Sequence, residues 1–441
     1  MTARSLDQGT TGRARWAPAG AVTRRRYAVG MGGRGRLGRL AVAAATLAVG
    51  VEAAVVSGIV AARYSGRKHR PAATFPVLPP VHMDAAGAEI TVYTYGKDLY
   101  RDMLSAIAAA REVIYFETFI WKGDEVGQAF KDALIAAAER GVSVYVTVDT
   151  FANLVVRPSF FSFPPSVVVR RHPMFGGGGL HVFDPRNSGR DHRKILVVDH
   201  EVGFVGGYNI GALYETHWRD THVRLRGPVV ADLDFAFVDH WNSGPGGYRP
   251  RLPAQTRDWD PRIRIHRNLP RYMVYPIRNM YLEAIERATN RILMTHAYFI
   301  PDPDLSRSLL NAAERGVEVS IIVPDESNHA LADWMSRGCY DDLLAGGVRL
   351  FLYQNAMIHS KTATIDGVWS TVGTANLDRL SLAGNYEVNV EMFSADVAAT
   401  LEQVFANDLR NCTELTLEAW RRRSMTARLS ERAIAPLRPL V

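Results

Sequence analysis

Two stretches of the sequence carry the same chemically active side chains at the same spacing. The first contains His192, Lys194, Asp199, Gly206, Asn209 and Asp220, and the second contains His359, Lys361, Asp366, Gly373, Asn376 and Glu387. Each residue stands at the same distance from its histidine in both copies. Charges on a solvated surface have no physical reason to keep such a spacing across two otherwise divergent halves. We therefore interpret the two sets as a functional site.

The histidine and lysine of each copy stand two residues apart in a strand-like run, at 192–199 and 359–366. Side chains alternate along a strand, so both point to the same face. Two lysine ammonium groups and two asparagine amides can neutralise and orient a phosphodiester and its more highly charged transition state. The residues of this phosphate-holding set are Lys194, Lys361, Asn209 and Asn376. The pattern therefore favours phosphoryl-transfer chemistry.

The two histidines can take different roles in such a reaction. One imidazole can attack phosphorus while the other, protonated, gives its proton to the departing alcohol. A carboxylate that fixes each imidazole would complete the arrangement. Asp220 and Glu387, each equally far from the histidine of its own half, are the candidates for this orienting role. Asp199 and Asp366, which end the strands, are either catalytic groups or local hydrogen-bond acceptors.

Metal binding is the first rival interpretation of the motif. Lysine ammonium is not a metal ligand, and no Asp/Glu/His cluster with metal spacing accompanies the two copies. The chain has two cysteines, Cys339 and Cys412, which provide neither a disulfide framework nor a cysteine-based metal site. We therefore expect no metal and no cofactor.

The basic residues are concentrated at the N-terminus. Residues 1–70 hold 13 Lys/Arg against Asp7 and Glu52, which leaves 39 Lys/Arg and 43 Asp/Glu for the rest of the 441-residue chain. An enzyme of nucleic acids is expected to carry its positive surface on the folded body, where phosphate contacts are made. The charge distribution therefore argues against a nucleic-acid partner.

Strand-like and helical patterns alternate in both halves. The segment Leu134–Val142 recurs as Leu309–Val317, and each copy predicts the end of a helix, a glycine stop and then a strand. Alternating strands and helices indicate an α/β fold. Gly and Pro residues within 244–253 predict a linker between the two halves.

One long apolar run precedes these elements. From Leu40 to Ala62 it is interrupted only by Glu52, and at helical rise it is long enough to cross a bilayer. Arginines flank it on both sides, so which side the catalytic body faces stays open. The predicted organisation is a basic, disordered tail (1–36), a transmembrane anchor (37–62), a linker (63–84), a first lobe (85–245), an inter-lobe linker (246–262), a second lobe (263–412) and a basic amphipathic tail (413–441).

The motif His-x-Lys-x4-Asp, present twice and each time followed by Gly-x-x-Asn, resembles that of the phospholipase D superfamily over roughly residues 85–412. Finer stretches resemble bacterial cardiolipin synthases. These stretches are Arg186-Asn187, Asp191–Lys194, Tyr298–Asp302, Gly373–Asp378, Ser381-Leu382 and Asn385–Val388. The resemblance implies two duplicated α-β-α lobes around a pseudo-twofold axis, one shared site, and a metal-independent exchange through a phosphohistidine.

The resemblance also implies roles for individual residues. His192 is the preferred nucleophile and His359 the general acid and later base, with the reverse assignment open. The implied substrate is phosphatidylglycerol: one molecule donates its phosphatidyl group, glycerol leaves, and the hydroxyl of a second lipid attacks. Attack by water would instead give phospholipase D hydrolysis, which is the alternative function, as is another phosphodiesterase activity. We expect a single-pass protein of the cell membrane, whose oligomeric state the sequence leaves open.

Three segments carry two interpretations each. The C-terminal tail either lies on a membrane surface or forms a capping helix with a solvated basic face. Phe160–Pro165 is either a lipid-facing lip or a packed loop. Gly176–Gly179 is interpreted as a surface turn, because it lacks the strand–loop–helix context of a phosphate cradle.

Duplicated cardiolipin synthases commonly carry two N-terminal spans, whereas this sequence shows one.

Overall fold

A computed structural model of the chain describes residues 74–173, 189–243, 250–254, 260–328 and 330–423. Several predicted features lie outside these ranges: the basic tail 1–36, the anchor 37–62, the glycine loop 176–179, the pair at 186–187 and the chain beyond residue 423. Within the described ranges, no helix combines the length and the apolar character needed to cross a bilayer.

The first half of the chain, before residue 246, contributes an eight-stranded sheet with the order β1-β2-β9-β7-β6-β3-β4-β5. Its strands are β1 Val81–Ala85, β2 Ala88–Tyr93, β3 Val113–Thr118, β4 Ser143–Asp149, β5 Val167–His172, β6 Ile195–Val198, β7 Val202–Gly206 and β9 His222–Arg226. The β3–β4 and β4–β5 pairs are parallel and the others antiparallel.

The second half, after residue 262, contributes another eight-stranded sheet with the order β10-β17-β16-β15-β11-β12-β13-β18. Its strands are β10 Ile263–Asn268, β11 Arg291–His296, β12 Glu318–Pro324, β13 Arg349–Tyr353, β15 Lys361–Ile365, β16 Trp369–Gly373, β17 Glu387–Phe393 and β18 Cys412–Leu415. Strand β18 runs past residue 412, where the sequence predicted the second lobe to end. Its neighbour β13 pairs with it antiparallel.

The two sheets share one topology. Apart from the edge strands β1 and β18, seven strands follow in the same spatial order, and each neighbouring pair has the same parallel or antiparallel sense. The short strands β8 (Trp218–Arg219) and β14 (Met357–Ile358) pair with each other in parallel and so join the two halves. The predicted α/β class is confirmed, and the repeated motifs occupy equivalent strands.

Helices cover the sheets. They are α1 Gly96–Ala109, α2 Glu125–Glu139, α3 Ala212–Thr216, α4 Val230–Asn242, α5 Pro276–Arg287, α6 Pro303–Glu314, α7 Ala330–Ser336, α8 Tyr340–Ala345, α9 Arg379–Ala383, α10 Ala395–Leu409 and α11 Leu417–Arg421. A core cluster containing Val223 and Leu225 of the first sheet also contains Val372 and Val390 of the second. Since this apolar core is continuous between the sheets, it holds the two halves in a defined relation.

The repeated Glu-Arg-Gly-Val sequence ends α2 and α6 as predicted. Gly141 and Gly316 adopt φ values of +95° and +89°, which glycine reaches without steric cost, and the chain turns there into β4 and β12. The arginines before them have a second function. Arg140 donates to the carbonyls of Ile107 and Ala108 at the end of α1, and Arg315 donates to the equivalent carbonyls that end α5. The repeat therefore joins adjacent helices.

The aromatic segment 160–165 is a packed loop. Phe161 is buried, and the rings of Phe160, Phe161 and Phe163 all contact the indole of Trp121. Of the two interpretations of this segment, the structure supports the packed loop, because its apolar surface is used inside the fold.

Candidate active site

His192 is held by two hydrogen bonds from the opposite half of the chain. It lies just before β6 and is buried. Its backbone N–H donates to the carbonyl of Tyr386 at 3.0 Å. Its Nδ1 lies 2.9 Å from Oε2 and 3.0 Å from Oε1 of Glu387, which begins β17. The first half supplies the imidazole, and the second half orients it.

His359 has the same arrangement with the halves exchanged. It lies just after β14 and is also buried. Its backbone N–H donates to the carbonyl of Arg219 at 2.7 Å, and its Nδ1 lies 2.6 Å from Oδ2 of Asp220. In both cases, a carboxylate binds Nδ1 of the histidine in the other half, and the backbone carbonyl of the residue before that carboxylate accepts the backbone N–H of the same histidine.

Asp220 and Glu387, the candidates for the orienting role, each contact the histidine of the opposite half, a pairing that the spacing within one half does not specify. The equal spacing of Asp220 and Glu387 from their own histidines reflects the duplication of the fold. The partners are set by the β8–β14 pair and by the isolated bridge between Asp191 and Tyr386, which bring the ends of the two sheets together. Each of the two motif histidines therefore takes its carboxylate partner from the opposite half.

The lysines lie beside the histidines. Lys194 Nζ donates to the carbonyl of His192 at 2.7 Å, and Lys361 Nζ donates to the carbonyl of His359. Burial lowers the pKa of Lys194 to about 7, an effect that Glu387 opposes and Lys361 reinforces. Burial likewise lowers the pKa of Lys361 to about 8 against the opposing charge of Asp220. Two close, buried ammonium groups favour the binding of an anion.

Burial also shifts the acids and His192. It raises the pKa of Asp220 to about 6 and that of Glu387 to about 8, with the lysines opposing both shifts. For His192, burial and then the charges of Lys194 and Lys361 hold the imidazole pKa well below its usual value. His192 is therefore neutral near pH 7. When Glu387 is ionised, Nδ1–H of His192 donates to its carboxylate and the lone pair lies on Nε2, as a nucleophile requires.

The two asparagines are buried at the same ends of the sheets. Asn209 Oδ1 accepts a hydrogen bond from the backbone N–H of Ile120 at 3.2 Å, which fixes its amide. Within the described part of the chain, Asn376 Oδ1 is buried without a hydrogen-bond partner.

Asp199 and Asp366 lie away from the histidines, which corrects their inclusion among the catalytic candidates. Each follows the far end of its strand, β6 or β15, in a turn with φ near +50°. The carboxylate of Asp199 accepts the backbone N–H groups of Arg111, Glu112 and Val113. Asp366 accepts the corresponding three N–H groups of residues 289–291. The local hydrogen-bonding interpretation is the one the structure supports.

Replacing Asp366 with Ala should therefore destabilise the fold rather than stop the chemistry. The change removes the acceptor of three backbone N–H groups and leaves an alanine at φ +54°, which together should cost roughly 2–4 kcal/mol of unfolding free energy. Denaturant unfolding measures this, with the exposed Asp304→Ala as control. A loss of turnover beyond about 100-fold in variant protein that is still folded would restore the catalytic role.

Two buried ionic networks next to the histidines escaped the sequence analysis. Arg193, fully buried, donates to Glu117 at 2.5 Å and to Asp191 at 3.3 Å. Arg219 binds Asp408 of the opposite half through two hydrogen bonds of 2.8 and 2.7 Å. Neither network is duplicated, so a search for repeated spacing could not find them. Only the position of Arg193 next to the motif gave a signal.

One group of side chains has the composition of a metal site. His172, Asp191 and His240 are buried, and their ligand atoms all lie within 4.8 Å of one another. Two imidazoles and a carboxylate suit a transition metal. However, the guanidinium of Arg193 already donates to Asp191, and a positive charge there opposes a second cation.

Aromatic rings wall the site. Phe119 contacts the ring of His192 edge-on, with centroids 4.6 Å apart, and Trp218 lies 5.0 Å from the ring of His359. Lys194 Nζ lies 5.2 Å from the centroid of Phe119. These rings exclude water from one side of each imidazole, which strengthens the electrostatic interactions inside.

Comparison with known proteins agrees with the motif. The sequence profile of a family described as "Cardiolipin synthase, PLD-like domain" matches residues 103–241 and 281–409. The "Major cardiolipin synthase ClsA" of Bacillus subtilis (strain 168) is 32% identical over 371 residues, which are 80% of this chain and 75% of that protein. A "Cardiolipin synthase" of Staphylococcus aureus (strain N315) is 32% identical over 80% of this chain and 74% of its own.

A solved structure shows the same fold. The phosphatidylserine synthase of Haemophilus influenzae Rd KW20 superposes with a TM-score of 0.62, covering 82% of this chain and 94% of that one at 14% identity. The profile match falls on both halves that carry the His–Lys motif, and the identity with the Bacillus protein extends over most of the chain. The chain therefore belongs to the family of cardiolipin synthases with phospholipase D-like domains.

Proposed function

We propose that the protein is a phosphatidyltransferase that makes cardiolipin from two molecules of phosphatidylglycerol and releases glycerol. The observation that carries the proposal is the crossed pair of imidazoles: His192 and His359 are each oriented by a carboxylate of the other half, with a buried lysine beside each histidine. Such a site is built for one anionic group that both halves contact. The named relatives are cardiolipin synthases, which supports the choice of substrate.

The first half-reaction forms a phosphohistidine. Nε2 of His192 attacks the phosphorus of the first phosphatidylglycerol, and a P–N bond replaces the P–O bond to glycerol. His359, protonated and stabilised by Asp220, gives its proton to the departing glycerol oxygen. The lysines and asparagines neutralise and hold the phosphoryl oxygens, whose charge grows in the transition state.

The second half-reaction reverses these roles. His359, now neutral, takes the proton of the hydroxyl group of a second phosphatidylglycerol. The hydroxyl oxygen attacks phosphorus, the P–N bond breaks, and His192 is released. Attack by water would give phosphatidic acid, which is the hydrolytic alternative. The aromatic walls around both imidazoles favour a lipid hydroxyl over water.

The proposal includes the wider architecture. The shared strand order and the exchanged hydrogen bonds support a pseudo-twofold axis that passes between the two histidines. The apolar run 40–62 supports a single-pass anchor in the cell membrane, where the substrate resides. The acidic balance of the chain after residue 70 supports a lipid rather than a nucleic acid as the phosphodiester.

Binding of a phosphodiester should weaken as the pH rises through 7 to 8. The ammonium groups of Lys194 and Lys361, with pKa values of about 7 and 8, lose their protons in this range and with them the attraction for an anion. Calorimetry with glycerophosphoglycerol, whose charge is constant there, should show affinity falling more than about tenfold between pH 7 and 9. Lys194→Gln should flatten the profile and the exposed Lys97→Gln should not. A flat wild-type profile would contradict the anion site.

Labelled phosphatidylglycerol distinguishes the candidate functions. With the full chain purified in detergent, cardiolipin plus glycerol supports the transferase, and phosphatidic acid supports the hydrolase. No turnover would reject both.

A chelator should leave the rate unchanged, because the proposed steps use no metal. A strong loss would instead direct attention to His172, Asp191 and His240.

A further inference from the structure

The exposed apolar side chains of the described chain are concentrated in a few segments. All the large ones except Val77, Val368 and Phe393 lie in four places. We call them together the apolar rim: Phe151, Leu154 and Val155 after β4; Leu213 in α3; Tyr272, Met273 and Val274 after β10; and Leu380 in α9. Single exposed apolar residues are ordinary, but a group of them around one feature marks an interaction surface.

Contacts tie the β4 part of the rim to His192. Asn153, between Phe151 and Leu154, donates through Nδ2 to the carbonyl of Phe119 at 2.8 Å. The Phe119 ring is the one that contacts His192. The ring of Phe151 lies 4.4 Å from the guanidinium of Arg190, two residues before His192. This loop therefore borders the site on the side of the proposed nucleophile.

The other parts of the rim are connected to the same region. The backbone N–H of Arg190 donates to Asn385, and that of Asn385 donates to the carbonyl of Leu380. A Cβ atom on Gly189 would lie 2.9 Å from the side chain of Pro270. The turn that carries residues 272–274 therefore packs against the segment that leads to His192 and β6. The rim thus borders the site with residues from both halves.

The helix α3 brings the rim to the second histidine. Leu213 precedes Tyr214, whose ring packs on Trp218, and Trp218 contacts the ring of His359. Leu213 and Leu380 stand at the same distance from the histidine of their own halves, so the duplication places an exposed leucine beside each end of the site. Both histidines are therefore bordered by exposed apolar side chains.

Charge indicates what covers this surface. In residues 150–163 the only charged side chain is Arg157, and in residues 268–275 it is Arg271; both arginines are exposed. Basic groups among exposed apolar side chains match a surface that is anionic and has an apolar layer below it. A second protein surface would offer no such layered match.

We propose that the apolar rim docks on the surface of an anionic phospholipid bilayer, so that Leu154 and Val155 enter the acyl boundary and the site opens towards the headgroups. This inference rests on the proposed function, because it concerns how the same site reaches its lipid. It adds that the substrate does not have to leave the bilayer: the phosphate of an anionic lipid moves up between the rim segments to His192 and His359.

Depth-dependent quenching tests the docking without relying on turnover. In the full chain carrying Cys339→Ser and Cys412→Ser, Val155→Cys is labelled with an environment-sensitive fluorophore and reconstituted into phosphatidylglycerol vesicles with nitroxide on the acyl chains. Val155 is 82% exposed. The matched control is Val368→Cys, 51% exposed, beyond the end of β15 that is remote from His359. We expect quenching at 155 to be several-fold stronger than at 368.

The outcomes are distinct. Equal quenching at both positions, or none at 155, would overturn the proposal. A blue shift at 155 without nitroxide quenching would mean that a protein surface, such as a second copy of the chain, covers the rim, and would overturn it too. Both labelled cysteine variants are checked by thermal unfolding, so that a misfolded variant is recognised before quenching is measured.

Turnover measurements test the docking independently of the quenching experiment. The double variant Leu154→Asp/Val155→Asp should turn over phosphatidylglycerol in vesicles about tenfold more slowly or worse, but leave turnover of monomeric dihexanoyl phosphatidylglycerol unchanged. Val368→Asp should change neither. Equal loss on both substrates would mean that the loop acts through the fold and would reject docking. If the wild-type chain turns over neither lipid, the proposed function fails, while quenching at 155 still decides the docking.

Discussion

His192→Ala is expected to lower phosphatidyl transfer by at least about 10⁴-fold and to abolish any trapped phosphoenzyme, because the covalent intermediate loses its only nucleophilic atom. The structure gives the reason for choosing this imidazole. Its pKa lies well below the usual value through burial and the nearby lysines, so it is neutral at working pH. Its Nδ1 is occupied by Glu387, which leaves Nε2 to attack.

The measurement is rapid-quench trapping of label from phosphatidylglycerol in a neutral denaturant, because the P–N bond of a phosphohistidine is labile in acid, combined with turnover. The exposed His217→Ala, in the same segment as Asp220, serves as control and should keep both readouts. His359→Ala should lose turnover yet still become labelled from a substrate with a good leaving group. If His359→Ala abolishes labelling while His192→Ala retains it, the two roles are exchanged. Full activity of His192→Ala would reject the phosphohistidine.

Asp220→Asn is expected to reproduce the defect of His359→Ala, not that of His192→Ala, although it belongs to the half that contains His192. Its carboxylate lies 2.6 Å from Nδ1 of His359 and stabilises the protonated ring that gives a proton to glycerol. Loss of that charge should lower turnover of phosphatidylglycerol about 10²–10⁴-fold. By the same reasoning, Glu387→Gln should resemble His192→Ala and slow formation of the phosphoenzyme.

A phosphatidyl ester of p-nitrophenol separates the two variants. Its leaving group departs without a proton, so Asp220→Asn should still release p-nitrophenol in a burst and then stall, because His359 is also needed as the base. Glu387→Gln should show a weak burst or none. The opposite pattern, with the burst lost in Asp220→Asn and kept in Glu387→Gln, would show that each acid acts on its own half.

The pH dependence of turnover follows from the same pair. Burial raises the pKa of Asp220 to about 6. Below that pH the carboxyl group is neutral and no longer stabilises a protonated His359. Burial raises the pKa of Glu387 to about 8, so the charge that orients His192 is lost over a higher range, and both losses should lower turnover as the pH falls. The lysines set the alkaline side, since they lose their charge above pH 7 to 8.

Much of the site could be predicted from the sequence because it is encoded twice. The identical offsets of His192 and His359 to their lysines and asparagines single out the residues that we propose to hold the phosphate, and the Glu-Arg-Gly-Val repeat located two helix ends that the structure contains. Repetition is a signal that packing alone does not produce. Asp199 and Asp366 show its limit, because a turn that is needed twice for structural reasons is repeated as faithfully as a catalytic group.

The residues that are not repeated were out of reach. Two buried ion pairs lie next to the histidines. Glu117 is 76 residues away from its partner Arg193 in the chain, and Asp408 is 189 residues away from its partner Arg219. No spacing rule reports such distances. A buried charge becomes visible only when the structure shows that water is absent and that an opposite charge is present.

The sequence by itself determined the chemistry: two imidazoles, two ammonium groups and two amides suited to a phosphodiester, on an α/β framework present twice. Only the tertiary structure decided how these parts are shared. The parallel β8–β14 pair and the Asp191–Tyr386 bridge place each carboxylate on the histidine of the opposite half. A duplicated sequence contains the same intervals whether its halves act separately or together, so the exchange of partners depends on how the two sheets pack and not on the spacing within either one.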